Sequence, residues 1–418
     1  MGGKHIKISG GGITETARND YRMDANDTIT NYGGQGVQQN GSKGGVINGK
    51  FETIPVGSKC VVEFRPCKDW KGEFGIDWER KSDSHMAVDN AYNGIIGKYG
   101  RIYGSEPGAV FTPSNESYKK HLTEYAFFNS YKGKYTVPNM TLIEGETAYL
   151  DTITEVLEIP DSMHYEYDTK TFELVILKKL TKSVGKNYDE KAVSIKCIKK
   201  FTDNQSIKVI AVKDGKSARV GQINIMANSN LKSVNIIFIP VSHNRVQGAI
   251  KGNEITITKN ALRQSYIIAN IISGGSITAE GRWFNFFFTK MDKGKQLMDS
   301  SNVLSIHNYL DGKFFETKEN AIYKSYYRVY MLPEGTLNGI AKDVGGVKTV
   351  AVFQNRNDSS APHELMHAMG LYHTFDNDGK YTYKYKNTDN IMDYTHLIGK
   401  QRFSTNRWQW KILNPQIS

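Results

Sequence analysis

The stretch "SSAPHELMHAMGLYHTF", residues 359 to 375, decides how the C-terminal part of this 418-residue chain is read. Its punctuation is helical. Ser359 or Ser360 can cap, Pro362 suits the first turn, and Gly370 can end the helix in a left-handed conformation. Between these signals His363 and His367 stand four apart, so both imidazoles project from one helix face. Glu364 is offset by one position, which lets it face a water and not bind an ion itself. A continuing helix would carry His373 away along its axis, whereas a turn at Gly370 brings it back to the same point. Three neutral nitrogens and one open position form the donor set expected of a catalytic Zn2+ site. The bland alternative is an amphipathic helix with solvated histidines, and the agreement of cap, glycine and third histidine weighs against it.

Working outward, "NSNLKS" (228–233) reads as a linker, and the residue pattern changes across it. After it, "VNIIFIPV" (234–241) is a continuous apolar run, as expected of a strand covered on both faces. "NALRQSYIIANII" (260–272) reads as a helix, and "YYRVYML" (326–332) and "KTVAVFQN" (348–355) as strands. This mixture indicates an α/β domain over 232–418. Before the linker, "KTFELVILKKL", "KAVSIKCIKKF", "QSIKVIAVKDG" and "VGQINIMAN" are short alternating runs separated by turn signals, which predicts an immunoglobulin-like β-sandwich over 130–229. Residues 51–129 read either as a second small β domain or as an irregular extension of the first. Within them "SKCVVEFRPCKDWKGEFGIDWER" (58–80) gives two strands around a Lys71-Gly72 turn. Residues 1–50, rich in Gly, Asn, Gln and Ser, have too few large apolar side chains for a core of their own. They read as an extended tail or as a docking segment that orders on a partner.

The formal charge of +11 is spread as scattered lysines. No dense basic run with interleaved aromatics supports nucleic-acid binding, and no apolar run is long enough for a membrane span. The start, "MGGKHIKISGGGITETARNDY", lacks the apolar core of a signal peptide. The expectation is synthesis in the cytoplasm and, if the protein is secreted, a route independent of such a signal. Three cysteines, Cys60, Cys67 and Cys197, argue against a disulfide framework. A Cys60–Cys67 bridge and free buried thiols both remain open, as does a Cys67 thiolate capping the metal. His396 either lines the cleft or is packed or solvated. "DNDG" (376–379) reads as a turn in preference to a structural calcium loop, because it lacks that loop's spacing and closing acid.

Further residues carry a resemblance. "GLYHTF" (370–375), "NIMDYT" (390–395) and "FSTNRWQWKI" (403–412), taken with the histidine spacing, resemble the pappalysin, or cytophagalysin, group of metzincin zinc peptidases. The resemblance implies that Met392 forms a methionine turn beneath the zinc and that Tyr394 can approach the metal or a developing oxyanion. It implies that "LNGIA" (337–341) is an edge strand along which a peptide substrate lies antiparallel. Zn2+ on His363, His367 and His373 would then activate water, with Glu364 as general base. The chain departs from the family in having no cysteine in this domain and only a short segment, 376–389, between helix and methionine turn. "GKHIKISGGGITETARNDY" (3–21) and "VEFRPCKDWKGEFGIDW" (62–78) resemble leader regions of bacterial type VI secretion proteins. That resemblance implies a secretion-apparatus partner. Within the enzyme reading, a toxin guarded by a cognate inhibitor competes with a surface protease that processes particular proteins. The competing class is a non-enzymatic adaptor whose metal site is structural or inactive.

Overall fold

A computed structural model describes residues 59–100, 109–299 and 303–417. The Gly/Asn-rich segment 1–50 and the first of the two leader-like stretches lie outside these residues. The described chain is β-rich, with several sheets, and most of its longer helices lie beyond residue 250.

Two sheets face each other across one core. One has the strand order Cys60–Pro66, Thr147–Val156, Gly185–Cys197, Phe172–Ile176; the other runs Gly75–Asp77, Asn139–Thr141, Lys216–Ile225, Gln205–Lys213, Ser162–Glu166. The alternation in "QSIKVIAVK" shows why these residues fit: Ile207, Val209 and Ala211 point inward and the residues between them do not. They meet Val62, Phe64, Leu150 and Ile195 from the opposite sheet. Cys60–Pro66 pairs along its whole length with Thr147–Val156, so the expected cut at 129/130 is not a boundary for these strands. Of the two readings of 51–129, the strands fit an extension of the sandwich. They also do not pair with each other: after the turn at Gly72 (φ +85°) the chain crosses to the second sheet.

Asn228 corrects the linker reading of 228–233. It is 1% exposed, its amide donates to Leu142 O and to Cys197 Sγ, and its carbonyl accepts from Phe201 N. The junction is thereby sewn into the sandwich.

Beyond it, Lys232–His243 is the spine of a mixed sheet. It pairs in parallel with Ile267–Ser273 on one side and with Tyr327–Leu332 on the other; Thr349–Phe353 follows in parallel, and Gly339–Ala341 closes the edge antiparallel. The continuous apolar run is covered on both faces, as its composition requires. Ile236 and Phe238 pack with Leu262, Leu365 and Met366 under the helices Glu254–Arg263 and Ser360–Ala368. Ile237 and Ile239 pack with Ile306, Leu310 and Phe314 of the helix Val303–Phe315 on the other face. The run 260–272 is not one helix. The helix ends at Arg263, Tyr266 takes a left-handed φ of +56°, and the β-branched "IIANII" enters the sheet.

Described residues between the first strands of the sandwich and residue 100 reach onto the C-terminal part. Ile96–Tyr99 pairs antiparallel with Thr382–Tyr383, just beyond the histidine motif. The Asn377 side chain holds both backbone groups of Tyr99, and Tyr385 N donates to Tyr99 Oη at 2.8 Å. Arg80, 7% exposed, reaches Asp389 at 2.9 Å. A buried Arg356–Glu254 pair, bidentate at 2.7 and 2.6 Å, fixes the turn that leads into the motif helix. All three cysteines are buried and outside any disulfide, so the Cys60–Cys67 bridge does not form; the two lie at and just beyond opposite ends of one strand.

Candidate metal centre

The motif helix runs Ser360–Ala368 and is buried on all sides. Ser359 holds the N-cap position, but its hydroxyl does not cap the helix; it is taken by Asn357 and by Arg402. At the other end Gly370 takes φ +108°, and Leu371 N returns to Met366 O at 2.9 Å. This closed turn brings His373 back to the helix.

The three imidazoles converge. His367 Nε2 lies 3.1 Å from His363 Nε2 and 3.0 Å from His373 Nε2. Three lone pairs aimed at one point repel one another unless a cation or shared protons sit between them. The outer nitrogens identify a suitable tautomer: His363 Nδ1 faces Ile391 O at 2.8 Å and His367 Nδ1 faces Leu371 O at 2.6 Å, which lets each N–H donate outward and frees each Nε2. A tetrahedral zinc at its usual distance of about 2.05 Å from nitrogen separates its ligands by roughly 3.3 Å, close to what is seen. The donor set therefore fits a metal ion. Among the described residues it is the group of histidine, cysteine and acidic side chains placed to hold one.

Electrostatics agree. Burial, with Arg402 nearby, pushes His363 well below its ordinary value; burial brings His367 down to about 4 and His373 to about 2. All three are neutral at physiological pH, the form in which imidazole binds metal. Glu364 is 8% exposed, and burial pushes its carboxyl up to about 8, against the pull of Arg402 and an N–H from Ala341. It is offset from the imidazole cluster, as the one-residue step demands.

Met392 is fully buried with Leu365, Met366 and Ile391, and its carbonyl accepts from Thr374 N, which ties the turn to the residue after His373. Asp393 shapes the loop by accepting from the backbone N–H groups of Lys386, Asn387, Thr388 and Tyr394. Tyr394 Oη lies 3.0 Å from His373 Nε2, so the phenol reaches the centre. Phe375 stacks on His373 at 4.7 Å. His396 is half-buried, its ring 5.6 Å from that of Tyr394, and burial brings it down to about 4. Cys67 is no part of the centre. It lies in the sandwich with its thiol donating to Tyr149 O, and burial pushes the thiol up, away from the thiolate form. "DNDG" is a turn: Gly379 N bonds Asp376 O, and Asn377 is spent on Tyr99.

Two features of the centre carry no sequence signal. Arg402, 3% exposed, stands behind His363. Gly339, on the edge strand, lies against Glu364: a Cβ there would come 2.8 Å from Glu364 Cγ and 3.0 Å from Oε1. On the expectation that Glu364 is a general base, Gly339→Ala displaces that carboxylate and lowers kcat by about 10- to 100-fold, the cost of misplacing a reacting group by about 1 Å. Metal content should stay at the wild-type level. Steady-state kinetics with metal analysis check this, and an unchanged kcat would refute it.

No protein-family model matches the chain, and no curated protein matches it.

Proposed function

We propose that this chain is a zinc-dependent endopeptidase whose C-terminal part is a metzincin-type catalytic domain of the pappalysin kind. The two facing sheets before it are read as an immunoglobulin-like sandwich. The observation that carries the reading is the convergence of the His363, His367 and His373 Nε2 atoms within hydrogen-bond distance, with Glu364 buried beside them. A purely structural zinc is more often closed by a fourth histidine, cysteine or carboxylate, and among the described residues none of these joins the three histidines.

When bound, zinc supplies Lewis acidity toward water and toward a scissile carbonyl. The chain's own groups do the rest. Glu364 takes a proton from the attacking water and delivers it to the leaving amine. Tyr394 Oη, at the rim beside His373, donates to the carbonyl oxygen as charge develops there. Among the described residues the edge strand Gly339–Ala341 is paired on one side only, so its outer side can receive an extended peptide by strand addition. Secretion, and a role as a toxin with a cognate inhibitor or as a processing protease, belong to this reading through the N-terminal resemblance. No helix among the described residues is long and apolar enough to cross a membrane.

The test is metal analysis of the purified chain together with cleavage-site profiling on a peptide library. About one zinc per chain and endoproteolytic cuts that cease on chelation are expected. Bound zinc with no turnover on any peptide would turn the reading to the adaptor class.

A further inference from the structure

We infer that the helix Arg282–Phe288 and the hairpin Thr289–Asp292/Lys295–Met298 form a docking face for the surface of an anionic lipid bilayer. The sequence is "GRWFNFFFTKMDKGK", residues 281 to 295. One side of the helix is spent on the fold. Phe284 and Phe288, four apart, are 1% and 0% exposed and pack with Ile237, Ile239 and Leu310. Trp283, Phe286 and Phe287, at i, i+3 and i+4, take the other side. Trp283 is 57% exposed and Phe286 81%. The Phe287 ring packs between them, 5.0 Å from each. Met291, on the strand that follows directly, is 68% exposed. Large apolar side chains left in water side by side mark a contact surface.

Size and charge select the occupant. The exposed fractions of the three rings amount to roughly 300–400 Å² of aromatic surface, at about 150–250 Å² for each whole side chain. A stable protein interface takes about 800 Å² from each partner. A bilayer imposes no matching surface: rings enter the headgroup layer, and cations beside them meet anionic lipid. Tryptophan, apolar with one polar N–H, suits that layer. The cations are in place. Exposed Arg282, Lys290, Lys293 and Lys295 stand against exposed Glu280 and Asp292, and only Lys295 approaches a further acid, Glu334 at 3.9 Å, among the described residues. Lys293 and Gly294, at φ +45° and +80°, make the two-residue turn that sets Lys293 at the hairpin tip. The face is separate from the metal centre. Ile237 and Ile239 beneath it alternate along their strand with Ile236 and Phe238, which meet Leu365 and Met366 of the motif helix on the opposite side of the sheet.

The chain carries its own reporter. Of its five tryptophans, Trp70, Trp78, Trp408 and Trp410 are at most 3% exposed, which leaves Trp283 to sense the lipid. The full chain is mixed with vesicles of phosphatidylcholine alone, or of phosphatidylcholine and phosphatidylglycerol in equal parts, and partition is measured by sedimentation. Wild type should bind the anionic vesicles, less so as salt screens the lysines. Trp283 emission should shift to the blue and be quenched by bromine on the lipid acyl chains. Phe286→Ser should weaken partition about 10- to 100-fold, the worth of burying one phenylalanine. Lys290→Gln with Lys293→Gln should weaken it about 10- to 30-fold, the worth of two cations near an anionic surface. All these side chains are exposed, so thermal melting should match wild type; if Phe286→Ser does not fold, the lysine pair decides. No partition of wild type, equal partition into neutral vesicles, or partition that the variants leave unchanged overturns the inference. Self-association in the ultracentrifuge that Phe286→Ser abolishes, without vesicle binding, gives the face to a second copy of the chain and overturns it as well.

Discussion

Glu364→Ala is expected to hydrolyse peptide bonds about 10²- to 10⁴-fold more slowly than wild type, the range supplied by a positioned general base. It should still bind zinc and still fold. The three outcomes separate because Glu364 touches none of the structures that hold the metal. The imidazoles are oriented by Ile391 O and Leu371 O, and the loop beneath them by Asp393. Removing the carboxylate also removes an unfavourable burial. Burial pushes its pKa up to about 8 in the metal-free chain, and a bound dication would favour the ionised form that a general base needs. Melting temperature should therefore not fall for electrostatic reasons. Glu364→Gln keeps the volume and part of the hydrogen bonding with Ala341, and should be as inactive as Glu364→Ala. Single-turnover peptide cleavage, zinc content and thermal melting on the same preparations check the three together. Full activity in either variant would remove Glu364 from the mechanism and with it the main argument for an enzyme.

Much of this centre was legible because it is built from local signals. The i, i+4 spacing of His363 and His367 needs only a helix, and the caps on either side supply one. Gly370 is legible for a similar reason: a left-handed φ of +108° is a backbone demand that glycine meets at no steric cost. The period-two run 205–213 and the apolar run 234–241 likewise state their own burial. What was illegible is what depends on pairing across long sequence separations. Nothing in "CVVEFRP" says that it lies along residues 150–156, so the sandwich looked as though it began at 130. Nothing in "IGKY" says that it braces Thr382–Tyr383. The run 260–272 misled because its apolar residues fit either period, and the choice fell to β-branching and a turn at Tyr266. Arg402 is the sharpest case. A single arginine in "KQRFST" reads as a surface charge, yet it is buried 39 positions from the histidine it faces.

The same long-range pairing bears on how the centre is kept in shape. His373 and Tyr394 sit on opposite sides of the segment 374–393, which has little regular structure of its own. Its order comes from outside: Tyr99 and Asn377 at one point, Arg80 and Asp389 at another, and the Asn390–Asn406–Gln409 hydrogen bonds at a third. Arg80 and the strand Ile96–Tyr99, far upstream, are in this sense part of the site. A fragment starting at 232 would leave Thr382–Tyr383 without its partner strand and Asp389 without its cation. Preserving the preceding chain is thus a condition for testing the metal centre at all.

His367→Ala is expected to abolish both metal binding and activity, and to do so more completely than any other single histidine change. His367 is the middle member of the cluster, since its Nε2 contacts both of the others. Its Nδ1 also donates to Leu371 O at 2.6 Å, across the turn that returns His373 to the site. One substitution therefore removes a ligand and loosens the placement of a second. The loss of affinity should exceed the roughly 10- to 100-fold that follows from losing an outer partner alone. The cleanest readout is linkage. A ligand that binds only the folded state stabilises it by about 4 kcal/mol at a thousandfold excess over Kd. Zinc added to chelator-treated wild type should thus raise the melting temperature, and zinc added to His367→Ala should leave it unchanged. Glu364→Ala should respond to zinc as wild type does, although it too is inactive, so the pair of variants divides holding the metal from using it. A His367→Ala protein that keeps one tightly bound zinc would place the metal elsewhere and overturn the centre described above.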